Sequence, residues 1–211
     1  MLKLSEKKWL CISLAFSCLL LLIRMIITHS LTYVFLGWNL FLGWVPFLLS
    51  RYLIKQQHKS LKQYIVFFAW LIFFPNAPYI ITDLFHFKER WPVPLYCDLV
   101  LSFSFAWNGL FLGLISLINI ENWALSKFGK RKAIAIVAIS LFLCGFGIYI
   151  GRYLRWNTWD VLANPFDLIK EIVVRIIYPF EHIRTWAVTF LFTSFLTIIY
   201  FNIKKLSQAK A

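Results

Sequence analysis

Six long stretches of apolar residues, separated by short polar loops, limit what this chain can fold into more than any other feature. A helix needs about 20 apolar residues to cross about 30 Å of hydrocarbon. Each stretch reaches or approaches that length, so we predict one membrane-spanning helix from each. The predicted spans are residues 9–27, 33–49, 64–81, 99–118, 133–150 and 183–201.

The composition supports an all-α integral membrane protein with a single six-transmembrane-helix bundle. Hydrophobic residues make up 61% of the 211 positions and charged residues 15%, whereas soluble domains have about 45–50% and about 25%. Disordered chains, disulfide scaffolds and ordinary water-soluble enzymes are therefore excluded. In the fourth span, Gly109 and Gly113 are four residues apart and predict a close approach between helices.

Positive charge is distributed unevenly between the predicted loops. Of the 22 Lys and Arg residues, fourteen lie on the side of both termini, seven on the opposite side, and Arg24 inside the first span. The positive-inside rule therefore places both termini in the cytoplasm, in the cytoplasmic membrane. The inner basic loops are expected to attract anionic lipids of the bilayer. Nucleic acid is not an expected partner, because no separate soluble domain could hold a duplex.

The third predicted span is interrupted by two prolines. Its plain apolar run, residues 64–74, would rise only about 16 Å as a helix, which is too short to cross. The span must therefore continue through residues 75–78, a Pro-Asn-Ala-Pro segment whose prolines free the carbonyls of Leu71 and Phe74. Those carbonyls and the Asn76 amide need partners inside the protein. The segment predicts either a kinked helix packed against its neighbours or a broken helix beside a wet cavity.

Acidic and imidazole side chains follow this segment. Asp83 and His86 would share a face of a helix, where they could bind a metal or act as acid and base. Two ligands are too few for a metal site, so we predict neither a metal nor another cofactor, and an ion pair of Asp83 with Lys88 or an arginine is the alternative. Asp98 suits a helix N-terminus. Asn108, nearer the middle of its span, is expected to make an interhelical hydrogen bond.

A second polar cluster lies after the fifth span, in residues 151–160. Its members of interest are Arg152, Arg155, Trp156, Asn157 and Asp160. The planar guanidinium suits phosphate or carboxylate, and a tryptophan offers a flat face to a sugar or a lipid headgroup. The alternative is an aromatic belt with snorkelling arginines. A belt accounts for the tryptophans better than for the Asn and the Asp.

Residues 165–178 predict an amphipathic helix too short to span. Asn164 is a good N-cap and Pro165 suits the first helical position. The polar residues form one stripe: Asp167, Lys170, Glu171 and Arg175. We expect this helix to lie in the outer membrane interface, and a core-packing helix is the alternative.

Two of these stretches resemble a known family. They are residues 74–84, FPNAPYIITDL, and residues 151–162, GRYLRWNTWDVL. Both are similar to signature stretches of DUF1361, a family of bacterial membrane proteins, and the resemblance runs from about the second span to the sixth. The family has no assigned activity. The resemblance therefore implies a multi-pass membrane protein and supplies no catalytic residue.

These features together lead to a hypothesis of function. We predict an outward-facing polar pocket that binds an anionic or lipid-linked ligand. Its predicted lining is Asn76, Asp83, His86, Asp98, Arg152, Arg155, Trp156, Asn157 and Asp160. One alternative is an outer-face enzyme on a lipid-linked substrate, with Asp83 and His86 as acid and base. Another is a membrane assembly or scaffold partner, or a homo-oligomer, without catalysis.

Overall fold

A computed structural model of the chain describes residues 4–56, 60–86, 88 and 91–208, with the backbone alone at 4–7, 86, 207 and 208. The chain divides into two compact units, Met1–Asn119 (unit 1) and Ile120–Ala211 (unit 2).

Unit 1 is built from helices. In chain order they are α1 (Leu4–Thr28), α2 (Val34–Ile54), α3 (Leu61–Phe73), the short α4 (Asn76–Tyr79), a 3₁₀ helix (Ile80–His86) and the first part of α5 (Leu95–Phe128). Unit 2 takes the last part of α5. It continues with α6 (Lys130–Tyr153), the short α7 (Asp160–Ala163), α8 (Pro165–Ile177) and α9 (Ile183–Gln208).

Six helical stretches in the described part of the chain are long and apolar enough to cross a membrane. They are Lys8–Thr28, Val34–Ile54, Leu61–Phe85, Leu95–Phe128, Lys130–Tyr153 and Ile183–Leu206. Large apolar side chains face outward along them, for example Trp9 (70% exposed) and Ile26 (69% exposed). Exposure of such apolar surfaces to water is unfavourable, whereas lipid tails can cover them. The prediction of an all-helical, multi-pass membrane protein with six spans is confirmed.

Glycines of two helices surround α4 in unit 1. A Cβ atom at Gly43 of α2 would lie 3.1 Å from the Cα of Ala77. A Cβ at Gly109 of α5 would lie 2.7 Å from the carbonyl oxygen of Ala77, and one at Gly113 would lie 2.9 Å from its Cβ. No larger residue fits these contacts without a shift, so the backbones pack closely here. The predicted packing role of Gly109 and Gly113 is confirmed.

The third span has three helical pieces, because the prolines change its hydrogen bonding. Pro78 has no N–H to donate to the carbonyl of Phe74. The backbone N–H of Ala77, one residue earlier, donates to that carbonyl instead, at 3.2 Å. The side-chain amide of Asn76 donates to the carbonyl of Phe73 at 3.0 Å. The carbonyls of Phe73 and Phe74 thus have local donors, as burial in a membrane requires.

In unit 2, α6 and α9 run antiparallel and pack at a glycine. A Cβ at Gly145 would lie 2.6 Å from the carbonyl oxygen of Thr189 and 2.6 Å from Oγ1 of Thr193. The indole N–H of Trp186 donates to the carbonyl of Arg175 at 3.2 Å and so fixes α8 against the start of α9. These contacts place the end of α6, the loop after it, α8 and the start of α9 at one end of unit 2.

A buried carboxylate joins α5 to α9 inside unit 2. The Tyr200 hydroxyl donates to Oε2 of Glu121 at 2.5 Å, and Nζ of Lys204 lies 2.6 Å from Oε1. Glu121 is 5% exposed. Its charge is therefore met by one cation and one hydroxyl rather than by water.

Candidate functional site

Asp98, the first acid of α5, is fully buried and neutralised within unit 1. Nε of Arg24 lies 2.6 Å from Oδ1 of Asp98, and Nη2 lies 3.2 Å from Oδ2. The hydroxyl of Tyr33 donates to Oδ2 at 3.0 Å. This two-point contact is the strong geometry for a guanidinium and a carboxylate. Asp98 therefore ties the end of α1 and the start of α2 to α5.

Asp83 in the 3₁₀ helix also has an interhelical partner. Nδ2 of Asn39, on α2, donates to Oδ2 of Asp83 at 2.7 Å, and Asp83 is 5% exposed. This contact holds the end of the third span against α2. The side chain of His86 lies outside the described residues, so its predicted pairing with Asp83 stays a prediction.

The two predicted asparagines of unit 1 are engaged in helix packing. Asn76 is half-buried and its amide satisfies the third span, as described above. Asn108 accepts from the Ser13 hydroxyl at 2.8 Å and donates to the Ser17 oxygen at 2.9 Å. The expectation of an interhelical hydrogen bond at Asn108 is confirmed, with α1 as the partner helix.

In unit 2, Arg155 follows the end of α6 in an unusual backbone conformation. Its φ is 60°, in the left-handed region that normally favours glycine. Its side chain is exposed, and among the described residues its guanidinium has neither a hydrogen bond nor an ion pair. Trp156 next to it is half-buried. The loop thus exposes a cation that no described residue pairs with.

Asn157 and Asp160 close the turn that follows. The backbone N–H of Asn157 donates to Oδ2 of Asp160 at 2.6 Å, and the N–H of Asp160 donates to the carbonyl of Asn157 at 3.0 Å. The Asp160 carboxylate is therefore used to shape the loop at the start of α7. This arrangement explains the two residues that an aromatic belt leaves unexplained.

A further arginine joins this loop from α9. Cζ of Arg184 lies 4.5 Å from the ring centroid of Tyr153, a cation–π contact between the end of α6 and the start of α9. Arg184 is exposed. We call Arg152, Arg155 and Arg184 the arginine cluster. Guanidinium groups at one end of a unit can bind phosphate or carboxylate oxygens by paired N–H donors.

The predicted site residues thus fall into two sets. Arg152, Arg155, Trp156, Asn157 and Asp160 lie between the last turn of α6 and the first residue of α7 in unit 2, whereas Asn76, Asp83 and Asp98 belong to unit 1. Within the described residues, no group of three His, Cys, Asp or Glu side chains forms a candidate metal site.

Sequence reasoning did not single out four residues that belong to these arrangements: Arg24, Tyr33, Asn39 and Arg184. Arg24 carried a usable signal, because a charge inside an apolar span is expensive and needs a partner. Arg184 carried no comparable signal, since an arginine at the edge of a span is common.

No curated protein and no solved structure matches the chain. A family model described as "Protein of unknown function (DUF1361)" matches residues 38–199. That range includes both stretches on which the resemblance rested, and it covers most of the sequence. The chain therefore belongs to the DUF1361 family.

Proposed function

We propose that this protein binds an anionic, lipid-linked ligand through the arginine cluster at the outer face of the cytoplasmic membrane. The observation that carries the proposal is Arg155, a left-handed residue whose exposed guanidinium has no hydrogen bond or ion pair to the residues that the structure describes. A non-glycine residue in that conformation costs roughly 1–2 kcal/mol. Glycine would form the same turn without this cost. The arginine side chain is therefore not explained by the turn, whereas an anionic ligand explains it.

The surroundings of Arg155 supply the rest of a headgroup site. Arg184 and Arg152 add cationic donors, Trp156 adds an aromatic surface, and Asn157 with Asp160 holds the loop in shape. Phosphate and carboxylate are the anions that such donors recognise best. A lipid-linked ligand fits because the loop directly follows a helix long enough to cross the membrane.

Charge and exposure support the proposed membrane placement. The fourteen basic residues on the same side as the two termini support an arrangement with both termini in the cytoplasm and the inner loops against anionic lipids. Apolar residues on one side of α8 are exposed: Phe166, Ile169, Val173 and Ile176. This face supports a helix lying in the outer interface. The three-piece third span supports a kink at Pro75.

The residues of unit 1 take a supporting part in this proposal. Asp98 and Asp83 hold helices together through Arg24 and Asn39, which favours a positioning role over acid–base chemistry. The enzyme alternative would need Asp83 and His86 to act together. That both signature stretches line one pocket stays a prediction.

The test is native mass spectrometry of protein extracted gently from its own membrane. The key variant is Arg155→Gly, which removes the guanidinium and suits the left-handed backbone. We expect the native protein to carry a stoichiometric extra mass, and the variant to lose it while its thermal stability is unchanged or higher. His29→Gly is the matched control, because His29 also has a positive φ, 48°, outside the cluster.

Fragmentation of the retained mass would name the ligand class. An extra mass that survives in Arg155→Gly, or is lost equally in His29→Gly, would overturn the arginine cluster as the site. A bare native chain or a defined oligomer without added mass would favour the assembly alternative.

A further inference from the structure

Unit 1 contains an apolar groove between α1, α2 and α5, far along the chain from the arginine cluster. Its volume is about 220 Å³, and its walls include Leu10, Leu14, Phe47 and Ile115. It lies where α1 begins and α2 ends. Pockets for drug-sized ligands measure about 300–1,000 Å³. The groove therefore suits part of a flexible chain better than a whole compact ligand.

Two of the residues that line the groove, both at the end of α2, are cationic. Arg51 and Lys55 are four residues apart and so share one face of the helix. Arg51 lies over the ring of Phe47, with Cζ 5.7 Å from the centroid, and Lys55 is exposed. Among the described residues, neither cation has an ion pair. None of the described residues that line the groove is acidic, so this lining offers no carboxylate to either cation.

We propose that this groove binds one anionic phospholipid, with the headgroup phosphate on Arg51 and Lys55 and a segment of one acyl chain along the apolar walls. The membrane-spanning part of α2 ends at Ile54, so both cations lie at the level where headgroups begin. A headgroup of net negative charge offsets part of the positive charge of the pair, whereas a zwitterionic headgroup has no net charge to offset it. The apolar lining supplies the complementary surface for the chain.

The site depends on the helices spanning a bilayer, but not on the arginine cluster. Its test therefore uses different variants from those of the proposed function. Full-length protein is delipidated in detergent and titrated with phosphatidylglycerol or with phosphatidylcholine of the same acyl chains. Native mass spectrometry then counts the first lipid bound.

We expect the native protein to prefer phosphatidylglycerol, and the double variant Arg51→Gln/Lys55→Gln to bind it at least fivefold more weakly. The matched control is Arg131→Gln/Lys132→Gln, which removes the same charges from exposed residues at the start of α6. This control should bind as the native protein does. Equal losses of binding in both double variants would show a general charge effect and overturn the site. Unchanged binding in both double variants would also overturn the site.

A third variant tests the groove itself. Cys11 lines the groove and is exposed, so Cys11→Trp narrows it without entering the core and without a change of charge. We expect weaker phosphatidylglycerol binding, with an unchanged melting temperature of the lipid-free protein. Native-like binding by Cys11→Trp would mean that the acyl chain does not use the groove, and would contradict the proposal.

Discussion

The guanidinium of Arg24 and the carboxylate of Asp98 form a two-point ion pair across 74 positions of sequence, in the apolar interior of unit 1. Arg24 is 8% exposed and Asp98 is not exposed at all. The pair joins the last turns of α1 to the first turn of α5. Each charge is therefore acceptable at this depth only because the other is present.

Removing one member of this pair should destabilise the fold strongly. We expect Arg24→Gln to lower the free energy of unfolding by about 3–5 kcal/mol, because it leaves a buried carboxylate without its cation. The double variant Arg24→Met/Asp98→Leu should lose much less, since no charge is left unpaired. Unfolding in mixed detergent micelles, followed by circular dichroism, measures both. Equal losses in the single and the double variant would contradict the pairing.

The glycine contacts predict a contrast between two alanine substitutions. At Gly109 a methyl group would meet the carbonyl of Ala77 at 2.7 Å, so Gly109→Ala should cost about 1–3 kcal/mol. At Gly37 the nearest atom is a Leu21 methyl at 3.7 Å, so Gly37→Ala should be neutral or stabilising. Melting temperatures in detergent compare the two. A stable Gly109→Ala protein would show that α4 and α5 do not pack as described.

The carboxylate of Glu121 predicts a role for one hydroxyl group. We expect Tyr200→Phe to lower the free energy of unfolding by about 1.5–3 kcal/mol, because it deletes a hydrogen bond to a buried charge. Tyr64→Phe is the control, since Tyr64 is partly exposed and its hydroxyl has no hydrogen bond among the described residues. The same micelle unfolding assay applies. Similar stabilities of the two variants would contradict a structural role for Glu121.

The proposed orientation can be tested with the cysteines of the chain. A variant that keeps Cys97 alone should react with a membrane-impermeant maleimide in intact cells, because Cys97 is exposed at the start of α5. A cysteine placed at Ser126, exposed near the other end of α5, should react only after lysis. The reverse pattern would place both termini outside.

Hydropathy was sufficient for the number and order of the spans, because each membrane-spanning helix carries its own apolar signal. It was not sufficient for the contacts between helices. The pairing of Arg24 with Asp98 depends on two distant side chains reaching the same depth and the same face, which no local pattern encodes. The left-handed backbone of Arg155 was equally hidden, because the residues that usually mark this conformation are Gly and Asn. The 3₁₀ geometry after Tyr79 likewise depends on packing against α2.

The position of α4 between glycines of α2 and α5 has a consequence for biogenesis. Translation delivers α2 before the third span and α5 after it, so Ala77 has only the Gly43 side of its contacts until α5 enters the membrane. A proline-interrupted segment with only half of its packing surface covered is poorly retained in the bilayer. Nascent chains that stop before Gly109 should therefore lose the third span from the bilayer, and chains that extend past Gly113 should keep it.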